Sequence, residues 1–77
     1  MNEPGIPEIV VDGRGLAPPE PMEKVLAALD TLQPGQWVRF LIHRQPYPLY
    51  DILRRYHYRY ETTEVGDGCR EILIWSP

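Results

Sequence analysis

Three side chains stand where an anion could be held. Arg14 follows a short β-branched run, Ile9-Val10-Val11-Asp12, and His43 with Arg44 follows a second apolar run, Gln36 to Ile42. A guanidinium offers a rigid fork of donors to carboxylate or phosphate, and an imidazole adds a charge that titrates near neutrality. If the two runs are neighbouring parallel strands, all three residues reach one edge of a sheet. Ligands of open α/β sheets collect at the carboxyl ends of strands, and helix starts favour anions. The same residues also have a purely structural reading. In it Arg14 pairs with Asp12 or Glu20, and His43 caps a helix. A wider window, Arg39 to Arg59, holds five arginines against the single acid Asp51, together with His43, His57 and four tyrosines. Basic charge interleaved with aromatic rings is the composition of an RNA-stacking surface. Arg54 and Arg55 read equally well as the solvated face of a helix.

Other chemistries are poorly served. His43 and His57 lie at opposite ends of a predicted helix, about 15 Å apart at 1.5 Å per residue, so they do not share a metal. No metal site and no cofactor is expected. The one cysteine, Cys69, allows no internal disulfide and no thiolate-rich zinc site. It stands beside a predicted turn, far along the chain from the first helix, and reads as an inert lone thiol. No Ser-His-Asp set, glycine-rich phosphate loop or HExxH is present, so no enzymatic activity is expected. The net charge of −3 argues against bulk nucleic-acid binding. No apolar run approaches the roughly 20 residues of a membrane span. Met1 to Pro7 has neither a basic region nor an apolar run, which gives a cytoplasmic expectation and no membrane partner.

The elements that position these residues can be read from periodicity. With 77 residues, 43% of them hydrophobic and 25% charged, the chain makes one small globular domain. Residues 1–7 read as a flexible tail and 8–77 as the domain. A strand covers Glu8 to Asp12, and Gly13-Arg14-Gly15 breaks it. Pro18-Pro19-Glu20-Pro21 opens a helix, because first-turn amides have no intrahelical acceptor to lose. Met22, Val25, Leu26, Leu29 and Leu32 form its apolar stripe. Gln33-Pro34-Gly35 ends it. In the strand Gln36 to Ile42, Val38, Phe40 and Ile42 point one way and Trp37, Arg39 and Leu41 the other. A second helix starts near Tyr47-Pro48, with the stripe Leu49, Ile52, Leu53 and Tyr56. Strands Tyr58 to Val65 and Arg70 to Trp75 flank a hairpin turn at Gly66-Asp67-Gly68. This β-α-β-α-β-β order predicts an α+β two-layer sandwich, with two helices on one face of a four-stranded mixed sheet. The other face would carry Trp37, Arg39, Leu41, Leu73 and Trp75. Two tryptophans and two leucines on an open sheet suggest a docking surface for a protein partner or a second copy. Scattered apolar side chains are also ordinary on a small domain.

Leu16-Ala17-Pro18-Pro19-Glu20-Pro21-Met22, after a strand ending in Asp12, resembles the TusA/SirA sulfur-carrier family. Those proteins have Leu-x-Cys-Pro-x-Pro at the start of the first helix, and the cysteine carries a persulfide. Here that position is Pro18, which has neither sulfur nor an amide hydrogen, so carriage at this position is chemically excluded. The cysteine-less domain-of-unknown-function 2249 family is more similar still. Its Arg-Gly-Leu-x-Pro-Pro-x-Pro-Met corresponds to Arg14 to Met22, and its His-Arg-x-Pro-x-Pro-Leu to His43 to Leu49. Its closing Gly-Asp-Gly followed by Ile-Leu-Ile-Trp corresponds to Gly66 to Trp75. The resemblance implies a TusA-like fold. Members of that family occur alone or fused to hemerythrin-like or cupin domains, often near denitrification genes, which implies a bacterial protein in redox-related physiology. The fold is also similar to the C-terminal domain of the third translation initiation factor, which keeps RNA binding open as the weakest reading. The expectation is a non-catalytic binding or adaptor module. The alternative is an accessory protein that binds a small anion through Arg14, His43 and Arg44.

Overall fold

The computed structural model describes residues 8–76. The tail expected over residues 1–7 lies outside the described residues. The elements run β1 (Glu8–Asp12), α1 (Glu20–Asp30), β2 (Trp37–Ile42), α2 (Tyr47–Arg55), β3 (Arg59–Gly66) and β4 (Cys69–Trp75). The expected order and two-layer form are found, with element ends differing by one or two residues. The sheet order is β1-β2-β4-β3, with β1 and β2 parallel and β4 antiparallel to both its neighbours. β4 therefore enters between β2 and β3 as the last strand to be made, and its start lies at the carboxyl end of β2.

One face of the sheet is the core. Val11, Phe40 and Ile72 form one cross-strand row and Ile9, Val38 and Ile74 another. Val25 and Leu29 of α1 and Leu49 and Leu53 of α2 pack over them, and all but the half-buried Ile9 are buried. The helical stripes thus face the sheet as the spacing requires, except at Tyr56. That residue is 62% exposed, because α2 ends at Arg55 and Tyr56 is already its C-cap.

The turn that follows explains why. The Tyr58 amide donates to the Leu53 carbonyl at 2.9 Å and the His57 amide to the Arg54 carbonyl at 3.2 Å. This is the paired bond pattern of a Schellman cap, and it needs a left-handed residue at its centre. His57 occupies that position with φ 66°. Tyr50 then ties α2 to the sheet. Its ring stacks on Tyr60 with centroids 5.0 Å apart, and its hydroxyl lies 2.8 Å from the Thr62 hydroxyl.

At the other end of the sheet, Gly13 continues the β1–β2 pairing by one residue. Its amide donates to the Leu41 carbonyl at 2.8 Å. A Cβ here would lie 2.9 Å from Phe40 Cε1, 3.1 Å from Pro21 Cβ and 3.2 Å from the Leu41 carbonyl oxygen. Two of these neighbours belong to the rigid core ring and the sheet backbone, so neither yields easily.

Two stability changes of opposite sign follow. Gly13→Ala should destabilise the domain by about 1–3 kcal/mol through overpacking. His57→Gly should stabilise it by about 1 kcal/mol, by removing the left-handed penalty on a residue with a Cβ. Urea melts with an unchanged m value would check both. Equal midpoints for Gly13→Ala and the wild type would mean that the Gly13 approach is looser than the structure shows.

Candidate functional site

Both helices begin at the carboxyl ends of β1 and β2, and a cleft of about 460 Å³ opens between their starts. Its walls are mostly apolar. Pro18, Pro19 and Pro21 form the α1 side, and Pro46 and Pro48 the α2 side. Leu16, Met22, Phe40 and Leu49 complete the floor, while His43, Arg44 and Gln45 supply the polar groups.

The prolines do more than start the helices. Helix N-termini hold anions through free amides, and proline has none. Pro19 is the N-cap of α1 and Pro46 that of α2, and neither helix has a side-chain cap. Around α1, the Glu20 amide is used by the Ala17 carbonyl and the Glu23 amide by the Pro19 carbonyl, both at 3.0 Å. Around α2, the Leu49 and Tyr50 amides both go to the Pro46 carbonyl. Pro21 and Pro48 have no hydrogen to give. Each helix start retains at most one free amide, that of Met22 or Tyr47.

The three expected anion-binding residues are distributed unequally. His43 and Arg44 line the cleft, and both are exposed. Arg14 does not line it. Its Nε and Nη2 donate to the two Asp12 carboxylate oxygens, each at 2.8 Å, and its backbone amide donates to Asp12 Oδ1 at 3.1 Å. This fork folds Arg14 back over the end of β1, which is the structural pairing that the sequence offered as an alternative. The bonds from the Arg14 guanidinium, then the bond from its amide, pull the Asp12 carboxyl down to about 2, and the charge of nearby His43 adds to the effect. Arg44 forms no ion pair and no side-chain hydrogen bond among the described residues. The His43 carbonyl accepts from Arg70 Nη1 at 2.7 Å, which anchors the backbone of the cleft wall to β4. Gln45 is held in turn, its Oε1 accepting from the Tyr50 hydroxyl at 2.8 Å.

Cys69 occupies a place that chain distance concealed. Antiparallel pairing of β4 with β2 brings it to the same sheet edge as Asp12 and Arg14, where it is buried. Its thiol donates to the Arg70 carbonyl at 3.7 Å, and it is Asp12 that raises the pKa of the Arg14 guanidinium above the ordinary arginine value. The signal was available in the sequence. A strand that leaves a hairpin and pairs antiparallel with β2 must start where β2 ends. His57 caps the far end of α2 and plays no part here. Among the described residues, no group of three His, Cys, Asp or Glu side chains could hold a metal ion.

The opposite face of the sheet carries Trp37, Arg39, Leu41, Leu73 and Trp75, all half-buried. Its centre is polar. Arg39 bridges Glu8 and Glu71, bonding Glu8 Oε2 at 2.8 Å, and the Trp37 indole donates to Glu8 Oε1 at 3.1 Å. The bonds from Arg39, then that from Trp37, hold the Glu8 carboxyl below the usual carboxylate range against the opposing effect of burial. Trp37, Leu73 and Trp75 line a second, shallower depression with Glu61, toward the other end of the strands. No helix among the described residues is long and apolar enough to cross a membrane.

The family described as "Uncharacterized conserved protein (DUF2249)" matches residues 10–76. No curated protein and no solved structure matches.

The Asp12–Arg14 fork has a measurable signature. An unperturbed Asp carboxyl titrates at 3.8 and Asp12 at about 2. The folded state therefore binds this proton more weakly than the unfolded state does. The contribution of the pair is fully present above about pH 4 and is lost as pH falls toward 2. Carboxyl-detected NMR should place Asp12 near 2 in the wild type and closer to 3.8 in Arg14→Ala. An ordinary Asp12 value in the wild type would show that the fork is open in solution.

Proposed function

The chain belongs to this uncharacterised conserved family, and within it we propose a small non-catalytic binding module whose ligand site is the proline-walled cleft. The observation that supports this most directly is the cleft itself. It is a preformed concavity with apolar walls and a few convergent polar groups, which is the usual form of a small-molecule site. His43 and Arg44 supply recognition, and no nucleophile lines the walls beside them. Pro18 is one of the wall residues. The position at which the resembling sulfur carriers keep their thiol is here an apolar surface, which supports binding over group transfer. The wider TusA-like relationship, the bacterial cytoplasm and redox-related physiology belong to this reading through that resemblance.

A second reading is supported by the open sheet face. Trp37, Leu73 and Trp75 border one depression, and Val10 on the same face is 57% exposed. A protein partner or a second copy could cover them. RNA has less support. Arg39 is engaged by Glu8 and Glu71, and Arg54 by Asp51, so the basic window offers phosphates less free charge than its composition suggested.

Amide NMR of the full chain, titrated with a panel of small apolar, anionic and cationic probes, tests the cleft. At least one probe should give saturable shifts clustered at residues 13–22 and 43–49. Shifts that scatter over the surface, or no clustered saturable shift at millimolar probe, would end this reading. Concentration-dependent movement of the Trp37 and Trp75 indole signals without any probe would instead favour the sheet face as a self-association surface.

A further inference from the structure

We propose that the cleft between the starts of α1 and α2 takes an apolar monoacid, an aromatic or aliphatic body carrying one carboxylate, in preference to phosphate, sulfate or another compact inorganic anion. This rests on the reading of the cleft as the ligand site and adds the chemical class of the ligand. Three features of the wall select it.

The first is the distribution of donors. A phosphate-like ion is held by several convergent amides and cations together. The prolines at both helix starts leave at most the Met22 and Tyr47 amides. Arg14 and Arg70, the other guanidiniums at this edge, are respectively forked to Asp12 and bonded to the His43 carbonyl, and neither lines the wall. That leaves Arg44 as the one wall guanidinium, without an ion-pair partner among the described residues, with His43 beside it. One guanidinium matches one carboxylate.

The second is the rest of the wall. Leu16 and Met22, with the exposed Pro18, Pro19 and Pro48, present apolar surface over the buried Phe40 and Leu49 that an inorganic ion cannot use. An apolar body removes that surface from water, and the gain scales with the area covered. The volume of about 460 Å³ falls within the roughly 300–1,000 Å³ of small-molecule sites, far more than one inorganic ion fills.

The third is the surrounding charge. Glu20 and Glu23 occupy the first turn of α1. Neither lines the cleft. Their fields oppose a multiply charged anion more than a singly charged one.

The test compares 1-naphthoate, its uncharged amide 1-naphthamide, and inorganic phosphate by amide NMR on the full chain. Naphthoate should give saturable shifts at residues 13–22 and 43–49. Naphthamide should shift the same residues with affinity weaker by about tenfold, since charge-assisted bonds are roughly twice as strong as neutral ones. Phosphate should give no saturable shift. Arg44→Ala should weaken naphthoate by about tenfold and leave naphthamide unchanged, with partial rescue in Arg44→Lys. Leu16→Glu should weaken naphthoate by introducing a charge of the same sign. Arg44 and Leu16 lie outside the fully buried core, so an unchanged amide spectrum would certify each variant as folded. Phosphate binding as tightly as naphthoate, or naphthamide equal to naphthoate, would overturn the ligand class and leave the cleft as a site. If none of the three probes gives clustered shifts, the ligand class and the site reading fall together.

Discussion

Gly13 is the position on which the geometry of the site depends. Its amide bond to the Leu41 carbonyl prolongs the β1–β2 ladder past Asp12, and its missing Cβ lets Phe40 and Pro21 close over the backbone. This contact sets where the chain leaves the sheet. It therefore sets where α1 begins and how far its start stands from that of α2. The cleft is the space left when two helices begin at adjacent parallel strands and their first turns are filled with rigid rings. Phe40 belongs both to the core and to the cleft floor, so the shape of the site is coupled directly to the packing of the domain.

A helix start is by default a place for anions, and prolines change that default. They keep the helix legal, since first-turn amides lack acceptors, but they also strip out the donors that would have met a ligand. What replaces the donors is apolar ring surface. The same residues thus encode local structure and ligand preference at once, and the two cannot be varied independently. Arg14 shows a parallel economy. Its pairing with Asp12 stiffens the loop between β1 and α1, and by the same two bonds it withdraws a guanidinium from the cleft.

Most of the fold was legible because period and punctuation agreed. Val25 and Leu29, and Leu49 and Leu53, fell at helical spacing, and the alternation in β2 separated Val38, Phe40 and Ile42 from Trp37, Arg39 and Leu41. Tyr56 misled because spacing cannot show where a helix stops. The stop is encoded at His57, a residue with no compositional claim to a left-handed position. For the site, spacing placed Arg14, His43 and Arg44 at one sheet edge but could not assign each charge its partner. Asp12 lay two residues from Arg14 and took it first. Cys69 was missed for a different reason. Its neighbourhood depends on β4 entering between β2 and β3, a pairing decided by long-range burial of Ile72 and Ile74 and not by anything local to the cysteine.

The two faces of the sheet end up with different kinds of closure. On the helix side the central cross-strand rows are buried, and at the cleft rigid rings hold apolar surface open. On the other side, Arg39 lies across the middle of the sheet between Glu8 and Glu71, and the tryptophans flank it half-buried. An ion-pair bridge of this kind makes the centre of the face self-satisfied. A partner docking there would have to match Arg39 and its two carboxylates or break them, and desolvating a charge without a new partner is costly. The apolar groups that remain are Trp37, Leu73 and Trp75 around the depression at one end and the exposed Val10 beside the bridge. The cleft carries no such bridge, and its guanidinium at Arg44 makes no ion pair among the described residues. That asymmetry, with charge neutralised on the sheet face and left available at the cleft, is the physical ground for placing small-molecule recognition at the helix starts and not on the sheet.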